Sequence, residues 1–327
     1  MSLGAVTPPC GDWSFAKNVE RCSRMNRRPL FLVVVLVALA MPPVAGAHVR
    51  SGVIAVDYRA DVSATPPGVV ARIYESDLAV QLTARAARNV VVSGYLGEPF
   101  IRIGPAGITV SKTSPTARGA RVVSHGRSVV WHDARVRALP GVVDRRNWTV
   151  PLIVDGRRRR LGGEVWRVET PPAWPWVVLG LPFLVVVALL LVVRPMHWVR
   201  VGAVGFGVTT AVGLVTTGWG FALDSSASEG RWVEAANELV FSLVGVLVVV
   251  RGKPDTRAIA GGALGLLGLA VGLSKVPVFL HGIVLSVFPS NLVRVVVALT
   301  IAAGAAAMCL GLVIFTAAVD KPEEEPE

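Results

Sequence analysis

Cysteine is scarce in this 327-residue chain, which contains three. Cys10 and Cys22 precede the expected start of the mature protein, and Cys309 lies in an apolar run. Residues 48–172 therefore contain no cysteine, which excludes a disulfide and a thiolate metal site there. A domain formed by these residues has to be stabilised by its core alone.

Charged residues are also few. They make up 17% of the sequence, against about 25% in typical soluble domains, and hydrophobic residues make up 53%. This balance predicts membrane spans and makes the lipid bilayer an expected partner. The formal net charge of +11 comes without any nucleic-acid motif, so anionic lipid headgroups are the expected counter-charge and no nucleic-acid partner is expected.

Signatures of catalysis are missing as well. The sequence has no glycine-rich phosphate loop, no HExxH motif and no nucleophile elbow. Serine, histidine and aspartate occur within residues 48–172, but no spacing marks a catalytic triad. We therefore expect that the protein is not an enzyme.

The N-terminal residues look like a targeting signal. Residues 1–24 are interpreted as an upstream extension without structure, and Met25 as the true start. Residues 25–47 are predicted to be a cleaved signal peptide, because a basic start and an apolar run precede Ala45-Gly46-Ala47, an A-x-A cleavage signature. An uncleaved signal anchor is the alternative, but the apolar run is short for a bilayer span.

Residues 48–172 are predicted to form an all-β domain. Short β-branched or aliphatic runs alternate with turn signals, which include residues 104–107 and Asp155-Gly156. About seven to nine strands in this length are typical of a β-sandwich, and we predict an immunoglobulin-like one. The predicted strands are residues 53–58, 69–74, 78–83, 89–93, 100–103, 108–111, 148–154 and 161–168.

Residues 173–319 are predicted to form an α-helical membrane domain of five spans. The predicted spans are residues 174–193, 199–223, 235–250, 258–273 and 291–319. Residues 276–288 are apolar but short, so they either extend the fourth span or form a re-entrant or interfacial segment.

Loop charges predict the orientation. The loops after the first and third spans are basic, whereas the loop after the second is acidic. The positive-inside rule then places the β-domain outside the cell membrane and the acidic tail, residues 320–327, in the cytoplasm. We expect a multi-pass membrane protein with an extracytoplasmic N-terminal domain and a cytoplasmic C-terminus.

A copper site is the one specific chemical hypothesis. Cleavage after Ala47 makes His48 the first residue, whose free α-amine and imidazole Nδ1 can chelate one ion. Nitrogen donors in a plane suit Cu(II). The candidate partners are His132, Asp133 and His125; on a strand, His132 and Asp133 point to opposite faces, so both ligate only at a strand end or bulge. The alternative is that these histidines are ordinary terminal, surface or core residues.

The layout carries a family resemblance. A signal peptide, a mature N-terminal histidine, a small β-sandwich and apolar helices resemble exported copper proteins of the CopC type fused to CopD-like membrane domains, and YcnI-type copper-binding domains. The resemblance implies that His48 is a copper ligand and maps a downstream histidine and aspartate onto His132 and Asp133. Residues 94–100 and 131–133 also resemble a family of actinobacterial membrane proteins, which implies no activity. Unlike the CopC type, this chain follows its histidine with Val-Arg-Ser-Gly and lacks a methionine cluster.

Four consecutive arginines, residues 157–160, follow the Asp155-Gly156 turn. Residues 48–172 hold 19 basic and 10 acidic side chains, so most of the net charge lies in the β-domain. The four arginines are interpreted as a solvated hairpin tip. The functional alternative is a contact with lipid phosphates or with an acidic partner.

Two features of the membrane part predict packing. Glu238 and Arg294 lie near the outer ends of the third and fifth spans, where we predict an ion pair between them. The alternative is that both side chains extend separately to the headgroup region and water. Five glycines of the fourth span have the small-residue spacing of closely packed helices. They are Gly261, Gly262, Gly265, Gly268 and Gly272.

The sequence thus predicts an envelope protein whose β-domain binds a ligand or partner outside the membrane. The more specific hypothesis is binding or delivery of Cu(II) through His48. The alternative is a non-metal structural or interaction protein, whose helices anchor a β-domain that contacts another membrane protein.

Overall fold

The computed structural model describes residues 53–118, 122–136, 145–193, 195–225 and 231–319. The predictions for the extension 1–24, the signal peptide 25–47, His48 and the tail 320–327 concern residues outside this set. Within the described chain, antiparallel strands form the N-terminal part and long apolar helices form the C-terminal part.

The described N-terminal part forms two antiparallel sheets. The six-stranded sheet has the order β2-β11-β10-β5-β6-β7, and the four-stranded sheet has the order β3-β4-β9-β8. The strands are β1 (Ala55–Val56), β2 (Tyr58–Ala60), β3 (Val69–Tyr74), β4 (Ala79–Ala84), β5 (Val90–Ser93), β6 (Pro99–Gly104), β7 (Gly107–Val110), β8 (Val122–His125), β9 (Ser128–His132), β10 (Arg145–Val154) and β11 (Arg157–Arg167).

The described strands outnumber the eight predicted ranges for three local reasons. The predicted strand 53–58 divides at Asp57 into β1 and β2. Residues 122–125 and 128–132, which lie outside the predicted strand ranges, form β8 and β9. His125 therefore ends a strand instead of lying in a connecting segment, and it pairs with Ser128 of β9. A 3₁₀ turn, Pro115–Arg118, interrupts the described β structure.

The β10–β11 hairpin confirms its predicted turn. Asp155 and Gly156 have φ angles of 49° and 78°. Positive φ at both central positions is the mark of a type I′ turn, whose twist matches that of the flanking strands. The two strands then pair without interruption from Val154↔Arg157 to Arg145↔Trp166.

Both sheets bury side chains in one shared core. Leu82 and Trp131 come from the four-stranded sheet, and Phe100, Leu152 and Leu161 from the six-stranded sheet. Each of these is fully or almost fully buried, which contributes roughly 1.5–3 kcal/mol per large apolar side chain. Strand alternation places the intervening polar residues on the outer faces.

Five described helices are long and apolar enough to cross a membrane. Each overlaps its predicted span. The helices are α1 (Trp174–Val193), α2 (Met196–Ala222), α3 (Trp232–Arg251), α4 (Pro254–Ser274) and α6 (Ser290–Val319), with the short α5 (Pro277–Leu280) between α4 and α6.

Small residues bring α4 and α6 into close contact, as the glycine spacing predicts. A Cβ atom on Gly262 would lie 2.9 Å from the Cα of Gly311, and a Cβ on Gly265 would lie 2.6 Å from the carbonyl oxygen of Gly304. Side chains at these positions would force the two backbones apart. The glycines of α4 are therefore explained by helix packing.

The segment after α4 joins the two parts of the molecule. It holds α5 and then a two-residue strand, β12 (Ile283–Val284). β12 pairs antiparallel with β1, through Ala55↔Val284 and Val56↔Ile283. The first described strand of the β-part is thus paired with the helical part rather than with either large sheet.

Candidate functional site at the junction

Hydrophobic contacts fix β1 in the helical part. Ile54 and Ala55 are buried in a cluster with Phe279, Val293 and Val297. The amide of Leu285 also donates to the carbonyl oxygen of Ile54 at 2.8 Å. We call this contact region the junction: β1 and Asp57 of the β-part meet α5 and β12 of the helical part there. It combines apolar burial with backbone pairing, and neither depends on a long side chain.

Asp57 links three chain segments at the junction. Its Oδ2 lies 3.0 Å from Nδ1 of His281, and its Oδ1 accepts the amide of Gly282 at 3.1 Å. Its backbone oxygen accepts the amide of Val168, shortly before α1, at 2.7 Å. A Cβ on Gly282 would lie 2.8 Å from the oxygens of Val168 and Glu169, so a glycine is needed at this close approach.

Arg294 supports the same segment from α6 and is buried. Its Nε donates to the carbonyl oxygen of Val278 at 2.9 Å, and its Nη2 donates to those of His281 and Gly282 at 2.9 and 3.0 Å. Its Nη1 donates to Asn291 at 3.0 Å. The guanidinium thus satisfies backbone acceptors that have no regular helix or sheet partner.

The predicted Glu238–Arg294 ion pair is wrong, because Glu238 pairs with Lys275. The Nζ of Lys275 lies 2.8 and 2.9 Å from the two carboxylate oxygens and donates to Thr217 Oγ1 at 2.8 Å. Glu238 and Lys275 are 8% and 7% exposed. Ionisable groups inside a membrane domain are costly unless paired, and they mark functional positions more often than surface charges do.

Close packing surrounds this buried pair. A Cβ on Gly218 would lie 2.5 Å from a carboxylate oxygen of Glu238, so α2 leaves room for the carboxylate only because it has glycine there. Two cations lie near the ring of Phe221, with Lys275 Nζ at 5.7 Å and Arg231 Cζ at 5.8 Å from its centroid. Both distances are within the range of cation–π attraction.

The turn between β3 and β4 also faces the helical part. Glu75 lies 3.8 Å from Arg59, the second residue after Asp57. Burial raises the pKa of Glu75 above its ordinary value; Arg59 opposes this shift and the negative charge of Asp224, just after α2, adds to it. Titratable groups from the β-part and the helix ends therefore influence one another directly.

His132 belongs to this end of the β-part. It ends β9 opposite Ala79, and its Nε2 lies 3.0 Å from Oδ2 of Asp77. Burial alone would raise the pKa of Asp77, but hydrogen bonding and charge from His132 outweigh it, and the pKa lies below its ordinary value. The His132 side chain is 41% exposed, so the imidazole meets solvent while Asp77 fixes its orientation.

Asp133 faces the opposite way, as alternation along a strand requires. Its two oxygens accept hydrogen bonds from the amide and guanidinium of Arg135 and from the indole nitrogen of Trp131. Burial would raise the pKa of Asp133, but Arg135 and Trp131 overcome this effect and lower it. The carboxylate is therefore buried beside Trp131 at the end of the core and does not share a face with His132.

The predicted metal ligands do not come together in the described chain. His125 pairs with Ser128, which lies four residues from His132 along β9, or about 13 Å. The carboxylate of Asp61 accepts the amide of Glu164 at 2.7 Å and is thus engaged within the β-part. Among the described residues no three His, Cys, Asp or Glu side chains could hold one metal ion. His48 lies outside the described residues, so its part in a copper site stays a prediction.

The loop at residues 94–98 is held by Glu98. Its carboxylate accepts the hydroxyls of Ser114 and Thr116 at 2.5 and 2.7 Å and the amide of Leu96 at 3.0 Å. These hydroxyl groups, first that of Ser114, lower the pKa of Glu98 to about 2. Tyr95 accepts the amide of Ala134 at 2.8 Å, so the loop is tied to the segment after β9. These contacts give Tyr95 and Glu98, within the run 94–100, a structural role in the loop.

Two important residues were missed by sequence reasoning. Lys275 is a single basic residue at the end of an apolar span, and the rule that such charges need an intramembrane partner could have paired it with Glu238. Asp77 precedes β4 without a recognisable motif, and its role depends on the pairing of β4 with β9. That pairing joins residues about 50 positions apart and leaves no local signal.

No family model, curated protein or solved structure matches the chain.

Proposed function

We propose that the protein is a multi-pass membrane protein of the cell envelope whose immunoglobulin-like β-sandwich lies outside the membrane and binds another envelope component. The contacts between the β-part and the helical part at the junction support this proposal. β1 is paired with β12, and Asp57 contacts His281 and Gly282. A binding domain held in this way presents its surface in a fixed orientation to the membrane, which lowers the entropy cost of engaging a partner there.

The distribution of charge supports the orientation. The helix ends opposite the junction carry basic residues, and Arg200 of α2 pairs with Asp255 of α4 there at 2.7 Å. Arg251, Lys253 and Arg257 lie at the same ends. An excess of arginine and lysine is typical of cytoplasmic loops. The β-part, at the other helix ends, is then extracytoplasmic.

Labelling of single cysteines tests this orientation. In a variant without native cysteines, Arg102→Cys on β6 is expected to react with a membrane-impermeant maleimide in intact cells. Lys253→Cys, between α3 and α4, is the matched control and is expected to react only after permeabilisation. Labelling of Lys253→Cys alone in intact cells would reverse the proposed orientation.

Crosslinking tests the binding role. Val123 and Leu96 are exposed apolar residues of the β-part, 52% and 79% accessible. A photo-crosslinking residue at either position is expected to capture one defined envelope protein, and the adduct should survive chelator treatment. The same residue at position 253 is the control. A clean, uncrosslinked monomer from both β positions would contradict a partner-binding role.

Copper binding is the second candidate, and the His132–Asp77 pair favours it. Histidines that ligate metals commonly donate their other ring nitrogen to a carboxylate, which fixes the ring. Asp77 engages Nε2 of His132 in this way, the side chain is 41% exposed, and Nδ1 has no hydrogen-bond partner among the described residues. A site of this kind would combine His132 with the α-amine and imidazole of His48.

Titration with Cu(II) tests this candidate. The full chain beginning at His48 is compared, in detergent, with a version that has one extra N-terminal residue and with His132→Asn. The copper proposal predicts a one-to-one site with nitrogen hyperfine structure in the EPR spectrum. It also predicts that both altered proteins lose this signal, and His125→Asn is the control. Equal binding by all versions would rule out these ligands.

A further inference from the structure

The four arginines that follow the β10–β11 turn occupy an open edge of the six-stranded sheet. We call Arg157, Arg158, Arg159 and Arg160 the arginine edge. β11 pairs with β10 along its whole length. On its other side it pairs with β2 only from Val165 to Arg167, and a bridge from Ala64 reaches Gly162. No described residue pairs with this side of β11 beyond that bridge.

The backbone direction along this edge follows from the bridge. Gly162 donates to Ala64 at 3.0 Å and accepts its amide at 2.9 Å, so the amide and carbonyl of Gly162 point away from β10. Because backbone groups alternate between the two sides of a strand, those of Arg158 and Arg160 also point to the open side. These backbone donors and acceptors, unpaired in the described chain, have the geometry needed to pair with an additional strand.

The side chains of the arginine edge are exposed and unneutralised. No described carboxylate forms an ion pair with any of the four. Asp155, the acidic residue of the adjacent turn, is engaged by Arg88 at 2.5 Å and by the amide of Asn89 at 3.0 Å. The positive potential of four neighbouring guanidinium groups is therefore directed outward.

The position of the edge argues against the lipid of the protein's own membrane. Arg157 and Arg167 are the two ends of β11, about 33 Å apart along the strand. Arg167 pairs with Tyr58, next to the junction and close to the start of α1. Attraction to headgroups falls off within a Debye length of about 8–10 Å. The arginine edge lies toward the opposite end of the strand, about 23–33 Å along it from Arg167, so headgroups would reach it only if β11 lay along the membrane surface.

We propose that the arginine edge binds an extended acidic segment of a partner protein, which adds to the sheet as a strand beside β11. The added backbone would pair with Arg158 and Arg160, and its glutamates or aspartates would face the guanidinium groups at cross-strand distance. The inference rests on the proposed binding role and names its partner class.

A peptide assay tests this proposal with the full chain in nanodiscs of zwitterionic lipid. The probe is a fluorescent peptide of about eight residues in which glutamate alternates with valine and threonine. A version methylated on alternate backbone amides keeps the charges but cannot complete the strand pairing. We expect the first peptide to bind, binding to weaken as salt rises, and the methylated peptide to bind about tenfold more weakly.

Two matched variants complete the test. Replacing all four arginines of the edge with glutamine is expected to weaken binding about tenfold or more. The control removes the same charge elsewhere on the β-part, at exposed arginines without side-chain partners in the described chain, and is expected to change binding less than about threefold. Its substitutions are Arg85→Gln, Arg102→Gln, Arg118→Gln and Arg146→Gln.

The outcomes separate this proposal from simpler accounts. Equal binding of the methylated peptide, or stronger binding of polyphosphate or phosphatidylglycerol vesicles, would show a general anion surface and overturn strand addition. No binding at all would leave the arginines as charges that prevent edge-to-edge aggregation. If crosslinking to an envelope partner persists in either case, only this site is rejected; if crosslinking also fails, the binding role itself is rejected.

Discussion

The imidazole of His281 and the carboxylate of Asp57 lie 3.0 Å apart although the two residues are 224 positions apart in sequence. One belongs to the segment between α4 and α6, the other to the turn between β1 and β2. The contact closes the largest loop in the described chain that a single side-chain pair spans. The contact helps to fix the orientation of the β-part relative to the helical part.

Replacing Asp57 should loosen this junction locally. Asp57→Asn retains an oxygen for the amide of Gly282 but removes the charge that faces His281. We expect a loss of about 1 kcal/mol, because both side chains are partly exposed and solvent screens the pair. Hydrogen exchange should become faster at β1 and β12 and stay unchanged in β10. Asp61→Asn, which affects a bond within the β-part, is the control; equal effects of the two variants would contradict a specific role for Asp57.

The buried Glu238–Lys275 pair predicts strong non-additivity. Glu238→Leu leaves Lys275 as an unpaired buried cation and should cost about 3–5 kcal/mol of stability. The double variant Glu238→Leu with Lys275→Met should recover most of this loss, because both charges are removed together. Reversible unfolding in mixed detergent micelles measures the three free energies.

Glu234 provides the comparison for that experiment. It lies one helical turn before Glu238 and its side chain is 63% exposed. Glu234→Leu should change stability by less than about 1 kcal/mol. If Glu238→Leu alone were as stable as the unaltered protein, the pair would have no stabilising role.

Even a conservative substitution of Arg294 should destabilise the protein. Lysine keeps the charge but cannot reach the carbonyl oxygens of Val278, His281 and Gly282 together, since it lacks the planar fork of guanidinium. Arg294→Lys should cost about 2–3 kcal/mol and expose the segment between α4 and α6 to protease. Asn291→Ala, which removes one bond to the same guanidinium, should leave the cleavage rate nearly unchanged. Equal cleavage of both variants would show that the segment is held by packing instead.

The low pKa of Glu98 predicts how the loop at 94–98 responds to acid. Its pKa falls from 4.5 to about 2 in the folded protein because the hydroxyls of Ser114 and Thr116 donate to the carboxylate. This stabilisation is complete above pH 4.5 and is lost as the pH falls towards 2, where the folded carboxylate also takes up a proton.

Hydrogen exchange of single amides measures this response. Protection of the Leu96 amide should persist at pH 4.5 and decrease steadily towards pH 2. In Glu98→Gln the protection should be lower at neutral pH and should not vary over this range. Glu164→Gln, on β11, is the control. A decrease centred between pH 4 and 5 in the unaltered protein would mean that Glu98 has an ordinary pKa, near its model-peptide value.

Local patterns predicted the elements of this fold well. The long apolar runs predicted all five helices because a membrane span needs about 20 apolar residues, a signal that is independent of tertiary contacts. The Asp155-Gly156 turn was predictable because few residues tolerate two successive positive φ angles. Strand β8 was missed because its residues are mostly exposed, so it lacks the apolar alternation that marks a strand.

Contacts between distant segments were less predictable. Glu238 was recognised as a charge that needs a partner, but the prediction paired it with Arg294 and missed Lys275. Distance along the sequence favours neither of the two basic residues. The close approach of α2 at Gly218 and the capture of Arg294 by backbone carbonyls decide it in the structure. For the proposed copper ligands, alternation placed His132 and Asp133 on opposite faces, but only the pairing of β4 with β9 brings Asp77 to His132.

The pairing of β1 with β12 sets an order for biosynthesis. At typical translation rates of about 5–20 residues per second, a ribosome needs roughly 10–45 s to travel from Asp57 to His281. Throughout that interval β1 has emerged without its partner strand, while the two large sheets can already assemble. The insertion of α4 is therefore the step that brings β12 to β1. A nascent chain stalled before this step would have a folded β-part whose strand β1 is not yet paired with the helical part.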